Sequence, residues 1–194
     1  MSWIEGPAED SSEAVTSAFD RDRAAQGYVA NFTKVFALRP AVFEAWRGLN
    51  VSIKASMDLR RYELATVAAA RRLRSSYCCL AHGMVLVEQF DAAAELRAIT
   101  GDADGELDRV DAAVVRLAEK VAGGAADMTE EDLTELRDLG LADDDILDVV
   151  LAAAARCFFS TVLDATGTEP DAAYRLLDPQ LRESLTVGRP IADG

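Results

Sequence analysis

Apolar residues recur along most of the chain at three- and four-residue spacing, which is the spacing of one face of an α-helix. The clearest case lies between residues 107 and 121, with Leu107, Val110, Val114, Leu117 and Val121. No segment shows the regular alternation of β-branched and polar residues that is typical of a half-buried strand. The pattern therefore predicts an all-α fold.

Polar residues that precede these apolar segments mark where helices are expected to begin, because their side chains can accept hydrogen bonds from free backbone amides. The predicted helix caps are Asp58, Ser75 or Ser76, Asp91, and Asp143 or Asp144. The helix after Ser75 or Ser76 is expected to run to about Gln89. The helix after Asp143 or Asp144 is expected to end near Leu163.

Charge and composition exclude several classes of partner. The chain of 194 residues has 34 acidic and 20 basic side chains, a formal charge of −14. Nucleic acids and anionic membranes are bound through clustered cations, so neither is an expected partner. The longest apolar run, from Val149 to Leu163, is interrupted by Arg156 and too short to span a bilayer, which predicts a buried core helix. The amino terminus lacks the basic and apolar regions of a secretory signal, so we expect a cytoplasmic protein.

Candidate chemistry concentrates in the segment SSYCCLAHG, which holds two of the three cysteines and the only histidine. Cys78 and His82 are four residues apart and so share a helix face, whereas Cys79 points elsewhere. Near the start of a helix, free amides and the helix dipole favour the thiolate of Cys78 over its thiol. His82 could accept or return a proton.

Glu63 is a candidate partner for His82, because it is the only acidic residue in the preceding helix and antiparallel packing would bring it close. Each residue also has a structural explanation: single buried cysteines and histidines are usually packing residues, and Glu63 could pair with Arg60 on the surface. Spacing alone leaves both explanations open. One histidine beside adjacent thiols does not provide the separated ligand pairs of a zinc site, and no glycine-rich nucleotide loop is present, so no metal or cofactor is expected.

Taken together, Glu63, Ser75, Cys78 and His82 resemble the Glu…Cys-x-x-Cys-x-x-x-His signature of the alkylhydroperoxidase D and carboxymuconolactone decarboxylase superfamily, in its branch of uncharacterised peroxidase-related proteins. RRYELATVAAARRLRSSYCCLAHGMVL resembles the family's core helix pair, and the segment from Met128 to Asp171 resembles its second half. The resemblance implies an alkylhydroperoxidase D-like helical bundle over residues 37–171. Residues 1–36 would form an N-terminal helical extension and residues 172–194 a C-terminal helix and tail. The resemblance also implies a homo-oligomer.

In the family's peroxide-reducing members, two cysteines form a redox-active disulfide, and a glutamate and a histidine form a proton relay. The resemblance makes Cys78 the peroxidatic thiol and Glu63 with His82 the relay, and it places Ser75 where the resolving cysteine would be. Serine cannot form a disulfide, and Cys79 is too close along the chain for an unstrained one. We therefore expect a one-cysteine cycle in which hydrogen peroxide or a small organic hydroperoxide oxidises Cys78 and an outside thiol reduces it. Ser75 could instead donate a hydrogen bond to the thiolate.

Two other functions stay open. A redox sensor or non-catalytic member of the family is compatible with the serine at position 75. A lyase acting on a lactone-like acid would correspond to the decarboxylase branch. Among the cysteines, Cys157 lies in the apolar segment AAAARCFF, which is expected to raise its pKa, so Cys78 is expected to be the most reactive thiol.

Restoring the missing thiol tests the resemblance directly. Ser75→Cys is expected to form an intramolecular disulfide with Cys78 after peroxide treatment, because the two positions would then reproduce the family's Cys-x-x-Cys pair. Mass spectrometry of the oxidised variant under non-reducing conditions detects the bond. If both thiols stay reduced, the motif cannot be carried over to this chain.

Overall fold

A computed structural model describes residues 2–101 and 105–193. These residues form helices joined by short connections and contain no strand, so the predicted all-α fold is confirmed. The α-helices are α1 (Glu13–Gln26), α2 (Asn31–Phe36), α3 (Pro40–Ser56), α4 (Leu59–Arg72), α5 (Ser76–Phe90), α6 (Ala93–Thr100), α7 (Arg109–Gly124), α8 (Glu131–Asp138), α9 (Asp143–Ala165) and α10 (Pro179–Leu185). Two short 3-10 helices cover Ala125–Asp127 and Ala172–Leu176.

Two of the predicted caps lie where the sequence placed them. Asp58 caps α4, because its Oδ1 accepts a hydrogen bond of 2.8 Å from the Arg61 amide. Ser75 occupies the cap position of α5, although its hydroxyl accepts no bond from the helix amides. The start of α5 is therefore as predicted, but the side-chain bond expected to fix it is absent.

The other two predicted caps are wrong. Asp91 ends α5 instead of beginning α6, and its φ of 52° lies in the left-handed region, which aspartate tolerates better than most residues. Asp143 and Asp144 lie inside the first turn of α9, where the N-cap is Ala142. Asp145 closes this turn by accepting a 3.0 Å hydrogen bond from the Ala142 amide.

Helix α4 is the centre of the bundle. Every residue from Tyr62 to Ala70 is buried, so the helix is enclosed on all sides. Four of these residues are alanines, whose small side chains allow α5, α7 and α9 to pack closely around it. A polar side chain on α4, such as that of Glu63, is therefore placed inside the protein.

Helix α9 is only partly the buried core helix that the sequence predicted. Its inner face packs on α3, α4 and α7, but Leu147, Leu151 and Phe158 are exposed on the opposite face. The helix has 23 residues and is therefore longer than its apolar run. Among the described residues it is the one helix that by length and composition could cross a membrane, a property that core helices of water-soluble proteins share.

The two ends of the chain pack against this bundle. Val15, Ala18 and Phe19 of α1 form a small separate cluster with Ala37. Leu185 of α10 lies against α5 at Gly83, where a Cβ atom would come within 2.7 Å of its Cδ1. The division at residues 36 and 171 stays a prediction.

Candidate functional site

The start of α5 places Cys78 at the centre of the protein. Because α5 begins at Ser76, Cys78 lies in its first turn, as predicted, where the helix dipole favours negative charge. The side chain is 1% exposed. Burial of Cys78 is compatible with both explanations that the sequence left open, and it makes the thiol difficult for large reagents to reach.

Glu63 and His82 are in direct contact. Glu63 Oε2 and His82 Nδ1 form a short hydrogen bond between α4 and α5, and their side chains are only 3% and 14% exposed. An ionised carboxylate can only accept, so the proton lies on Nδ1. Nε2 of a neutral His82 is then free to act as a proton acceptor.

Both groups of this pair are in their deprotonated forms at neutral pH. Burial would raise the pKa of Glu63, but the hydrogen bond of His82 and the positive charge and hydrogen bond of Lys54 lower it below its usual value. Burial lowers the pKa of His82 to about 4; the positive charge of Arg156 acts in the same direction and Glu63 opposes both. At neutral pH the pair is a carboxylate and a neutral imidazole.

Lys54 compensates the charge of Glu63. Its Nζ lies 3.2 Å from Glu63 Oε1 and 4.6 Å from the centre of the Tyr62 ring. Lys54 comes from α3, which lies outside the core helix pair that carries the motif. Sequence analysis did not identify this residue.

Arg156 is the second residue that sequence analysis missed as part of the site. It is 2% exposed, and its Nη1 donates to Cys78 Sγ at 3.5 Å. Its Nη2 donates to the Tyr62 hydroxyl at 3.3 Å. The guanidinium of α9 thus connects the thiol of α5 with the phenol of α4.

Tyr62 completes the connection to the Glu63–His82 pair. Its hydroxyl donates to Asn50 Oδ1 at 2.5 Å, and the edge of its ring faces His82 with 6.1 Å between ring centres. Five side chains therefore form one buried polar cluster: Cys78, Arg156, Tyr62, His82 and Glu63.

Ser75 lies outside the buried polar cluster. The residue is fully buried, and its hydroxyl forms no hydrogen bond with any described residue. Within the described residues no hydrogen bond joins Ser75 to Cys78. The expectation that Ser75 donates to the thiolate is therefore not met.

The other two cysteines have different surroundings. Cys79 is fully buried on the packing side of α5, and burial raises its pKa well above the usual range. Cys157 is half-buried, and burial raises its pKa as the sequence predicted. By exposure alone, Cys157 would be the first of the three thiols to react.

The described side chains of the site do not form a metal-binding arrangement. Among the side chains that the structure describes, no group of three or more His, Cys, Asp or Glu residues is placed to hold an ion. The chemistry available is that of a buried thiol next to a cation, with a proton acceptor supported by a carboxylate.

The fold is similar to those of several solved proteins. An alkylhydroperoxidase AhpD core structure, an uncharacterised peroxidase-related protein from Ralstonia eutropha JMP134, matches with a TM-score of 0.80 and 19% identity, over 90% of this chain and 95% of that one. A peroxidase-related protein from Silicibacter sp. TM1040 matches with a TM-score of 0.78 and 22% identity, over 90% and 94%.

A third similar structure is that of an enzyme. The debrominase Bmp8, in a cysteine-to-alanine variant bound to 2,3,4-tribromopyrrole, matches with a TM-score of 0.73 and 12% identity, over 94% of this chain and 96% of that one. No protein-family model matches the chain, and no curated protein matches it in sequence. At these identities the likeness shows the fold.

The protonation state of the Glu63–His82 pair can be measured on this chain without ambiguity, because it has a single histidine. We expect the imidazole to titrate near pH 4, well below its ordinary value of 6.5, because burial and Arg156 disfavour its charged form. NMR of the imidazole nitrogens and carbon-bound protons as a function of pH, on protein without a histidine tag, gives the midpoint and the tautomer.

Glu63→Gln is the matched control for this titration, since it keeps the shape and removes the negative charge. The midpoint is expected to fall further, because the carboxylate is the group that favours the imidazolium. A midpoint near 6.5 in the unsubstituted protein, unchanged by Glu63→Gln, would contradict the pairing.

Proposed function

We propose, from the premise that the chain has the alkylhydroperoxidase D-like fold, that it is a thiol-dependent peroxidase in which Cys78 is the single peroxidatic cysteine. The observation that carries the proposal is the buried polar cluster, in which a thiol contacts a guanidinium and a carboxylate orients an imidazole one helical turn away. Hydrogen peroxide and small organic hydroperoxides are the proposed oxidants, because the enclosed thiol favours small reagents.

The first half of the cycle oxidises Cys78. Cys78 attacks the outer oxygen of the peroxide as a thiolate, and neutral His82 accepts at Nε2 the proton that this oxygen carries. A sulfur–oxygen bond forms as the oxygen–oxygen bond breaks, the sulfur loses two electrons, and His82 returns the proton to the departing oxygen. The products are a sulfenate, which solvent protonates to the sulfenic acid, and water or an alcohol.

The second half of the cycle requires two equivalents of an outside thiol. The first forms a mixed disulfide with Cys78 and releases water, and the second displaces Cys78 as a thiol and leaves as part of a disulfide. Ser75 cannot replace this reductant, since it has no sulfur. A low-molecular-weight thiol or a redox protein of a reducing cytoplasm would serve as this reductant. In a homo-oligomer, a cysteine of a second copy of the chain would also serve.

The individual roles follow from the environments. Glu63 holds the Nδ1 proton of His82 and stabilises the imidazolium that forms transiently. Lys54 keeps Glu63 ionised. Burial keeps the Cys79 thiol protonated and therefore a poor nucleophile, so its role is packing.

A second candidate function is thiol-dependent debromination of a small heteroaromatic compound. It is favoured by one observation, the likeness to a debrominase solved with tribromopyrrole in a cysteine-to-alanine variant. The 12% identity extends only to the fold, so this candidate ranks second. Release of bromide from 2,3,4-tribromopyrrole in the presence of a thiol would favour it.

Turnover of peroxide tests the proposed function. With hydrogen peroxide or tert-butyl hydroperoxide and excess dithiothreitol, the protein is expected to consume many equivalents of peroxide. Cys78→Ser should reduce turnover to the uncatalysed rate, because a hydroxyl is a far weaker nucleophile. His82→Gln should slow it by about 10²-fold or more, the lower end of what a positioned proton acceptor contributes.

Cys157→Ser is the matched control, because it removes a more exposed thiol that lies outside the buried polar cluster, and it should leave turnover unchanged. Oxidation of Cys78 without turnover would indicate a redox sensor. No oxidation of any cysteine would exclude the peroxidase and leave the lyase or a structural role.

A further inference from the structure

We propose that Arg156 is the counter-ion of a Cys78 thiolate, so that the core of the protein contains a cysteine–arginine ion pair. The proposal rests on the proposed function only in taking Cys78 as the reacting thiol. It assigns a catalytic part to a residue that the motif does not include.

The contact geometry supports this pairing. The guanidinium Nη1 lies 3.5 Å from Cys78 Sγ, a distance typical of hydrogen bonds to sulfur. Both residues are at most 2% exposed, so water does not screen the interaction. Phe159 closes the site from one side, with the guanidinium carbon 5.5 Å from its ring centre.

The charge of Arg156 needs an anion. A guanidinium stays protonated in a protein, and an uncompensated buried charge costs several kcal/mol. In the part of the chain that the structure describes, no carboxylate forms an ion pair with Arg156, and its guanidinium donates hydrogen bonds to Cys78 and to the phenol of Tyr62. Of these two, the thiol ionises more easily.

The protonation behaviour of Arg156 agrees with the geometry. Burial acts to lower the pKa of Arg156, but the attraction of Cys78 and Tyr62 outweighs it and raises the pKa. The charged form of the arginine is therefore favoured by its contact with the sulfur.

The other ionisable groups near the pair do not supply a competing charge. They are Tyr62 and Glu63 on α4, Cys79 and His82 on α5, Lys54 on α3, and Tyr174 in the 3-10 helix Ala172–Leu176. Glu63 is already neutralised by Lys54 at 3.2 Å, and His82 is neutral above about pH 4. Burial raises the pKa of Cys79 and of Tyr174, which keeps both uncharged.

This arrangement divides two tasks that one histidine performs in many thiol enzymes. Arg156 provides the positive charge that keeps the sulfur ionised. His82 is left neutral and able to accept a proton, partly because the charge of Arg156 disfavours its protonation.

The thiolate can be measured by its ultraviolet absorbance as a function of pH, which requires no reagent to enter the core. The background is the full chain with Cys79→Ala and Cys157→Ala, and the same protein with Cys78→Ser is subtracted to remove the absorbance of tyrosines. We expect thiolate at neutral pH. Arg156→Met, which removes the charge at similar volume, should shift the midpoint upward by about 1 to 3 pH units, the range expected for loss of an adjacent opposite charge.

Arg156→Lys is the matched control, since it keeps a positive charge and should retain most of the thiolate. A folded Arg156→Met protein with an unchanged midpoint would overturn the proposal. If that variant does not fold, the background protein decides: a thiolate that forms only at alkaline pH overturns the ion pair, and one present at neutral pH and preserved in Arg156→Lys supports it.

Measuring both the thiolate and peroxide turnover on the same samples distinguishes a failure of the ion-pair proposal from a failure of the proposed function. A thiolate that depends on Arg156 in a protein without peroxide turnover would refute the peroxidase and leave the ion pair standing. Peroxide turnover in a protein whose Cys78 thiolate forms only at alkaline pH would refute the ion pair alone.

Discussion

A guanidinium enclosed in an apolar helix bundle is the constraint on which the rest of this site depends. Arg156 has almost no contact with solvent, and its charge must be balanced by what surrounds it. The surroundings are a sulfur, a phenol and an aromatic ring. This explains why the start of α5, the inner face of α4 and the middle of α9 must meet at one point.

The same charge determines what the neighbouring groups can do. A histidine next to a buried cation is a poor site for a second positive charge, so His82 remains a proton acceptor at neutral pH. Glu63 accepts the Nδ1 hydrogen of His82 and so fixes the tautomer of the imidazole. Lys54 in turn balances the negative charge of Glu63. Lys54, Glu63 and His82 thus form one continuous series of polar contacts across the core. Each is held by a different helix or helix face, so the cluster depends on the packing of the whole bundle.

Much of this could be predicted from the sequence, because the information was local. Periodic apolar positions predicted helices, Asp58 predicted the start of α4, and the placement of Glu63 and His82 on successive helices predicted that these two side chains meet. Asp91 was misassigned because aspartate serves both as a helix cap and as a left-handed residue after a helix, and sequence alone does not distinguish the two.

The parts that sequence analysis missed come from contacts between distant segments. Arg156 is the only charged residue in its apolar run, and it has the same helical spacing as the buried residues Val149, Ala152 and Ser160. That position was a usable signal for a buried charge, but the sequence did not show which group compensates it. Ser75 was expected to bond the thiolate for its place in the motif, but its hydroxyl is buried without a hydrogen-bond partner among the described residues, which only the packing around the start of α5 determines.

The central claim is that ionisation, and not exposure, determines which cysteine reacts. The most direct measurement treats the protein with one equivalent of hydrogen peroxide, unfolds it in the presence of a cyclic dione that traps sulfenic acid, and locates the label by tandem mass spectrometry. The account predicts a label on the buried Cys78 and none on Cys79 or on the more exposed Cys157. A label on Cys157 with Cys78 unmodified would contradict it.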